Sequence, residues 1–278
     1  MSDFADLTLL VTGSSTGLGA AIAVGAARRG ARGIVVNYAS SRRDAEATAD
    51  LCRQAGADVA VVQANVADDA DCRRLADAAS QWGGLDALVS NAGVTRFAPD
   101  HSALDQLNAE DFHAIYGVNV IGAFQMVRAC RPLLEAASDR TGRASAVVTV
   151  SSIAGLNGTG SSVAYAASKG ALNTMTISLA RALAPKIRVN ALCPGLIDTP
   201  WFHKAPAGEA GLERMRAFAR QSMPLRVASG AEDIADVGLF LAGPHSRHMT
   251  GERVEVDAGF HLLSPMPHRD LREADQSS

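Results

Sequence analysis

Residues 7–19 read LTLLVTGSSTGLG: a short apolar run, a turn crowded with glycine, then a series of small residues at helical spacing. An apolar run without polar alternation reads as a strand buried on both faces. Gly13, Gly17 and Gly19 fall between that strand (7–13) and a helix (17–29). Glycine lets the backbone turn sharply and approach a ligand, and a helix that starts there offers unpaired N–H groups to an anion. The junction therefore predicts a parallel α/β architecture with a dinucleotide pyrophosphate seated at the first turn. Its spacing, G-x-x-x-G-x-G, is a variant of the more familiar G-x-G-x-x-G.

The same alternation continues down the chain. Strands are predicted at 7–13, 33–37, 58–64, 86–90, 145–151, 187–193 and 253–257. Between them lie Ala-rich amphipathic helices near 17–29, 42–55, 69–82, 108–136, 162–184 and 231–242. Asn108 with Asp111, and Ser229 with Glu232, have the spacing of helix starts. Strand–helix alternation with apolar strands predicts a doubly wound parallel sheet covered on both faces. No linker or repeat divides residues 1–263, which read as a single domain. The stretch 194–228, rich in Pro, Gly and aromatics, interrupts the alternation in the manner of a binding loop. The last residues, 264–278, are a polar tail.

Composition removes several functions. A net charge of -3 provides no bulk attraction to nucleic acid or anionic membrane. No apolar run approaches bilayer-spanning length, and the acidic start is unlike a signal peptide. Cys52, Cys72, Cys130 and Cys193 are scattered, as expected of reduced thiols in a cytoplasmic protein. His245 and His248 lie close together in a turn-like segment and read as surface residues, so no metal site is expected.

A carboxylate about 20 residues past the glycines would hold the adenosine ribose of NAD. Here that place reads NYASSRR, with Asn37 and Tyr38 and no acid. A 2′-phosphate is then tolerated, with Ser40, Arg42 and Arg43 available to bond it, so NADP(H) is expected over NAD(H). The arginines read equally as the solvated first turn of the next helix.

Farther on, SSVAYAASKGAL places Tyr165 and Lys169 one helical turn apart on a common face. A nearby ammonium lowers a tyrosine pKa and makes the hydroxyl a proton carrier at a carbonyl. Taken alone, the pair reads more simply as a packing tyrosine beside a surface lysine.

The surrounding motifs change that balance. TGSSTGLG (12–19), SNAG (90–93), Asn119 in YGVNVIGAF, Ser152 thirteen residues before the tyrosine, YAASK (165–169) and CPGLIDT (193–199) occur in order. Together they resemble the short-chain dehydrogenase/reductase family over residues 7 to about 262. The resemblance implies a Rossmann-type sheet of order 3-2-1-4-5-6-7, usually in a homotetramer or dimer, interconverting a ketone and a secondary alcohol. It implies that Tyr165 is the acid/base, and that Lys169 lowers its pKa and holds the nicotinamide ribose. Ser152 would bond the substrate oxygen, and Asn119 would anchor a water facing Lys169. For the cofactor it implies Gly13, Ser15, Thr16, Gly17, Leu18 and Gly19 at the phosphates, and Tyr38, Ser40, Arg42, Asn65 and Val66 at the adenosine. Asn91, Ala92 and Gly93 would line that side, and Pro194, Gly195, Ile197 and Thr199 would hold the carboxamide.

Departures from the family pattern are Ser90 before Asn91, Asn65 in place of an aspartate, and Thr16 in place of a basic residue. Asn119 also stands 46 positions before Tyr165, a few more than usual, with the extra length assigned to 137–145. Ser151 is expected to be a buried hydroxyl bonded to backbone. The substrate loop maps to about 199–223, with Trp201, Phe202, His203, Met215, Phe218 and Met223 either walling a site or packing a helix. NAGVTR, with Arg143 and Lys186, resembles the 3-oxoacyl-carrier-protein reductase branch; TGSSTGLG with VVNYASSR resembles the glucose-dehydrogenase-like branch. A sugar or hydroxysteroid dehydrogenase is thus an alternative, and a non-catalytic cofactor-sensing protein a remoter one.

Overall fold

Val, Ile and Leu dominate the apolar runs, and side chains of that shape fill a pleated surface covered on both faces. The computed structural model describes residues 3–199, 201 and 208–263. Its strands are β1 (Thr8–Val11), β2 (Gly33–Tyr38), β3 (Asp58–Gln63), β4 (Ala87–Ser90), β5 (Ser145–Val150), β6 (Ile187–Pro194), β7 (Ile197–Asp198), β8 (Ser229–Gly230) and β9 (Arg253–Val256). Seven of them form one sheet in the order β3-β2-β1-β4-β5-β6-β9, every pair parallel. This is the order expected from the sequence, with β9 as the seventh strand. The short β7 and β8 pair only with each other.

The helices are α1 (Gly17–Arg28), α2 (Arg42–Gln54), α3 (Asp69–Ser80), α4 (Ala109–Tyr116), α5 (Ala123–Thr141), α6 (Ala154–Asn157), α7 (Val163–Leu183), α8 (Gly208–Ser222) and α9 (Ala231–Ala242). Strand alternation divides the core into two layers. Leu9, Val11 and Ile34 face Ile22 of α1 and Leu239 of α9, while Leu10, Val35 and Leu88 face Leu75 of α3 and Met126 and Leu134 of α5. The order reverses at β1, which pairs with β2 on one side and β4 on the other. A crevice therefore opens beyond the C-terminal ends of these strands.

Three local expectations need correction. The helix predicted over 108–136 is divided by a π-helical turn, Gly117–Gly122, which carries Asn119. The capping box at Asn108 and Asp111 is present, but Ser229 and Glu232 do not start α9. Ser229 pairs with Ile197, and Asp233 accepts the Gly230 N–H at 2.8 Å instead. The interruption at 194–228 contains the fifteen-residue α8 and is not loop throughout. Phe202, His203 and the tail 264–278 lie outside the described residues.

Candidate active site

The crevice is a groove of about 530 Å³. Gly13, Ser15, Thr16, Gly17 and Leu18 line one part of it, and Tyr38, Ser40, Asn65 and Val66 another. Asn91, Ala92, Gly93, Ser152, Tyr165, Lys169, Pro194, Gly195, Ile197 and Thr199 complete the set named from the sequence. Ser41, Asp44, Val94, Val118 and Trp201 also line it; of these the sequence singles out only Trp201, and Asp44 falls in none of its motifs.

The glycine turn is built to leave donors free. Gly13 and Gly17 have φ of 61° and 59°, in the left-handed region that favours glycine. Thr16 caps α1 without a side-chain hydrogen bond, and the first turn holds no acidic residue. The helix N–H groups are thus available to an anion, which fits a dinucleotide pyrophosphate. Asn37 is buried and pins the turn from behind: its Oδ1 accepts the Gly13 N–H at 2.9 Å, and its Nδ2 donates to the Ala64 carbonyl at 3.1 Å. Asn91 Nδ2 donates to the carbonyls of Thr12 and Gly13 at 2.9 and 3.0 Å. Gly19 stands outside the lining and serves packing, since a Cβ there would lie 2.5 Å from Asn91 Nδ2.

At the adenosine end, Asn65 turns its Oδ1 to the Ala67 N–H at 3.1 Å. Arg42 is not brought into the groove. Its side chain is 77% exposed, with Nε 3.9 Å from Glu46 one turn along α2, the geometry of a helix-surface pair. Asp44, from the same turn, lines the groove instead.

At the other end, Ser162 caps α7 by accepting the Tyr165 N–H at 3.1 Å, which fixes where that helix begins. Tyr165 and Lys169 consequently share a face, with Nζ 5.5 Å from the tyrosine ring centroid. Nζ donates to the Val150 carbonyl at 2.8 Å, and burial pulls the lysine pKa down to about 8. The expected lowering of the Tyr165 pKa is not found. Burial pushes it up to about 12, and a hydrogen bond with Ser152 is what opposes the rise. The ammonium lies over the ring and is anchored to a carbonyl, so desolvation outweighs it. A tyrosine that keeps its proton at neutral pH is a competent donor to a developing alkoxide.

Ser152 Oγ accepts the Ala154 N–H at 3.1 Å, while Ser151 Oγ is buried and donates to the Lys169 carbonyl at 3.2 Å. Asn119 is buried outside the groove lining. It accepts the Val94 N–H at 2.8 Å and donates to the Val94 carbonyl and Ser168 Oγ, both at 3.0 Å. A Cβ on Gly93 would lie 3.4 Å from Asn119 Oδ1 and 3.7 Å from Lys169 Nζ, so the two residues meet across that glycine.

Elsewhere, Lys186 Nζ pairs with Asp139 at 2.8 Å. Glu255, Asp257 and His261 gather within 4.8 Å of one another, but Asp257 accepts the N–H groups of Gly259 and His261 and holds a turn. The four cysteines are buried and unpaired, and His245 and His248 are exposed. Among the described residues no helix is long and apolar enough to cross a membrane.

Known proteins resemble this chain in sequence and fold. A family model described as enoyl-(acyl carrier protein) reductase matches residues 13–261. A ketoacyl reductase named for the granaticin polyketide synthase of Streptomyces violaceoruber is 43% identical over 259 residues, covering 91% of this chain and 96% of that protein. A short-chain dehydrogenase/reductase structure from Burkholderia xenovorans superposes with a TM-score of 0.83 at 44% identity, covering 93% of this chain and 99% of that one. A short-chain dehydrogenase from Burkholderia cenocepacia, solved in complex with NADP, gives 0.80 at 32% identity, with 92% and 98% covered.

Proposed function

The chain belongs to the short-chain dehydrogenase/reductase family and is an NAD(P)-dependent oxidoreductase of ketones and alcohols, and from that premise we propose that it reduces 3-oxoacyl compounds. The observation that carries this reading is the meeting of Ser152, Tyr165 and Lys169 at one end of a groove whose other part is the glycine turn. The bound nicotinamide supplies the hydride. Ser152 bonds the carbonyl oxygen and Tyr165 delivers the proton to it. Lys169 holds the nicotinamide ribose, and Asn119 braces the Val94 backbone against α7 through Ser168. The 3-oxoacyl assignment draws on the relative named a ketoacyl reductase. Reduced-cofactor oxidation with acetoacetyl thioester, glucose and a hydroxysteroid tests it; turnover of the last two without the first overturns it.

NADP(H) is the preferred cofactor in this reading. The end of β2 carries no carboxylate, and Ser41 caps α2 without a side-chain bond, so Ser40, Ser41 and the helix N–H groups can meet a 2′-phosphate. Asp44 opposes that phosphate. The expected kcat/KM is higher with NADPH than with NADH, and Asp44→Asn widens the gap. A preference for NADH of about tenfold or more rejects the assignment, the ratio being a direct measure of differential binding.

Lys169 should impose a pH limit on cofactor binding. Its ammonium is lost as pH rises through about 8. Equilibrium binding should weaken above that pH, whereas Lys169→Met should bind weakly at every pH with no inflection. A wild-type affinity that is flat through pH 8 removes the lysine from the ribose site.

The four unpaired cysteines support a reducing, cytoplasmic setting. Ile121 and Phe124, 53% and 44% exposed where the π turn joins α5, support a homotetramer, with four copies in native mass spectrometry as the expected result.

A further inference from the structure

Among the described residues, Trp201 is the one large aromatic that lines the groove beside Tyr165: its ring centroid lies 6.3 Å from that of Tyr165, with the planes tilted by 53°. Three residues upstream of it stands Asp198. Arg216 of α8 grips Asp198 with a two-pronged contact, Nε to Oδ2 at 2.7 Å and Nη2 to Oδ1 at 2.9 Å. The same guanidinium donates to Glu209 at 2.8 Å and Glu213 at 3.2 Å, so three carboxylates converge on it. Asp198 is also held by the ladder to Gly230. It lies between Ile197 and Thr199, which line the groove. Asp198 is thus tied down by α8 and by β8, and Trp201 stands at the reacting end.

Val94 adds an apolar surface at that end, and among the described residues its one charged lining group, Lys169, is committed. Val94 is 38% exposed there, and the Lys169 ammonium is buried against the Val150 carbonyl. Gly160 backs the tyrosine edge, a Cβ at that position lying 3.5 Å from Tyr165 Cδ1. Among the described lining residues, no uncommitted charge stands beside Tyr165 to recognise a carboxylate. A wall formed by an indole favours a flat, polarisable group in stacked or edge-to-face contact.

Resting on the 3-oxoacyl reading, we propose that Trp201 is a specificity-determining residue that selects substrates whose ketone is borne by an aromatic or conjugated ring. Arg216 is a positioning residue acting through Asp198. The ring next to the carbonyl carbon packs on the indole while the oxygen faces Tyr165 and Ser152.

The test compares ethyl benzoylacetate with its cyclohexyl analogue, which has the same size and functional groups but no flat ring. Wild type should prefer the phenyl compound in kcat/KM. Trp201→Ala should cut that preference roughly tenfold, the scale of one well-made aromatic contact, and Trp201→Phe should keep it within about twofold. Arg216→Lys, which retains charge but loses the two-pronged grip, should raise KM for the phenyl compound more than it lowers kcat. A phenyl-to-cyclohexyl ratio unchanged in Trp201→Ala overturns the proposal, as does a wild type that prefers cyclohexyl. Wild-type turnover of acetoacetyl thioester but neither ester overturns it too, whereas failure on all three overturns the 3-oxoacyl reading beneath it.

Discussion

Tyr165→Phe should reduce ketones roughly 10³-fold more slowly than wild type while binding cofactor with unchanged affinity, within the usual range for losing a general acid. Phenylalanine keeps the ring against Trp201 and under the Lys169 ammonium, so the shape of the groove is retained. Ser152 and the glycine turn also stay in place, and only the proton donor is gone. Single-turnover rates separate this from slow product release, and equilibrium binding of NADPH shows that the site is intact. Turnover within tenfold of wild type would mean that another group protonates the alkoxide.

The second large effect comes from a residue that does no chemistry. A Cβ at Gly155 in α6 would fall 2.5 Å from the Lys169 carbonyl carbon and 2.7 Å from the Gly170 nitrogen, both backbone atoms of α7. Backbone cannot rotate away, so α7 must move as a unit. Gly155 also follows directly on the turn of Ser152, its N–H donating to the Ser152 carbonyl at 3.1 Å. Gly155→Ala should therefore separate Tyr165 from Ser152. Over-packing of this kind costs about 1–3 kcal/mol, and a displacement near 1 Å costs on the order of 10²-fold in rate. The expected result is a melting temperature lower by about 5 °C and a loss of kcat/KM far larger than that modest destabilisation implies. Gly170→Ala is the control. Its Cβ would meet only the Gly155 carbonyl oxygen at 3.6 Å, an ordinary contact. It should be neutral, or gain up to about 1 kcal/mol from helix propensity. Equal melting points for the two variants would show that α6 yields to the added methyl.

These two glycines illustrate where reading the chain stops. Both lie in runs of small residues, and nothing in the order AGLN or SKGAL says which faces backbone and which faces space. Tyr165, Lys169 and Ser152 were recognisable because their spacing is local or is anchored by motifs in a fixed order. Asn37 was read as a missing carboxylate, whereas the fold turns it inward to hold the Gly13 N–H. Arg42 reads from the sequence either as a phosphate ligand or as part of a solvated first turn; helix geometry selects the second, turning it outward beside Glu46 and putting Asp44 at the groove. On a helix, positions two apart face different ways, and the outcome depends on which face the sheet covers.

Strand–helix alternation, the glycine turn between the first strand and first helix, and the Tyr165–Lys169 pair were determined by sequence alone. Each is a local pattern whose physics acts over a few residues: pleat, turn and helical face. Tertiary structure alone decided that the Tyr165 pKa rises instead of falling, that Asn119 braces Val94 from a π-helical turn, and that Trp201 stands 6.3 Å from the reacting ring. Those outcomes come from desolvation and from contacts between segments dozens of residues apart, and neither exists until the chain has closed on itself.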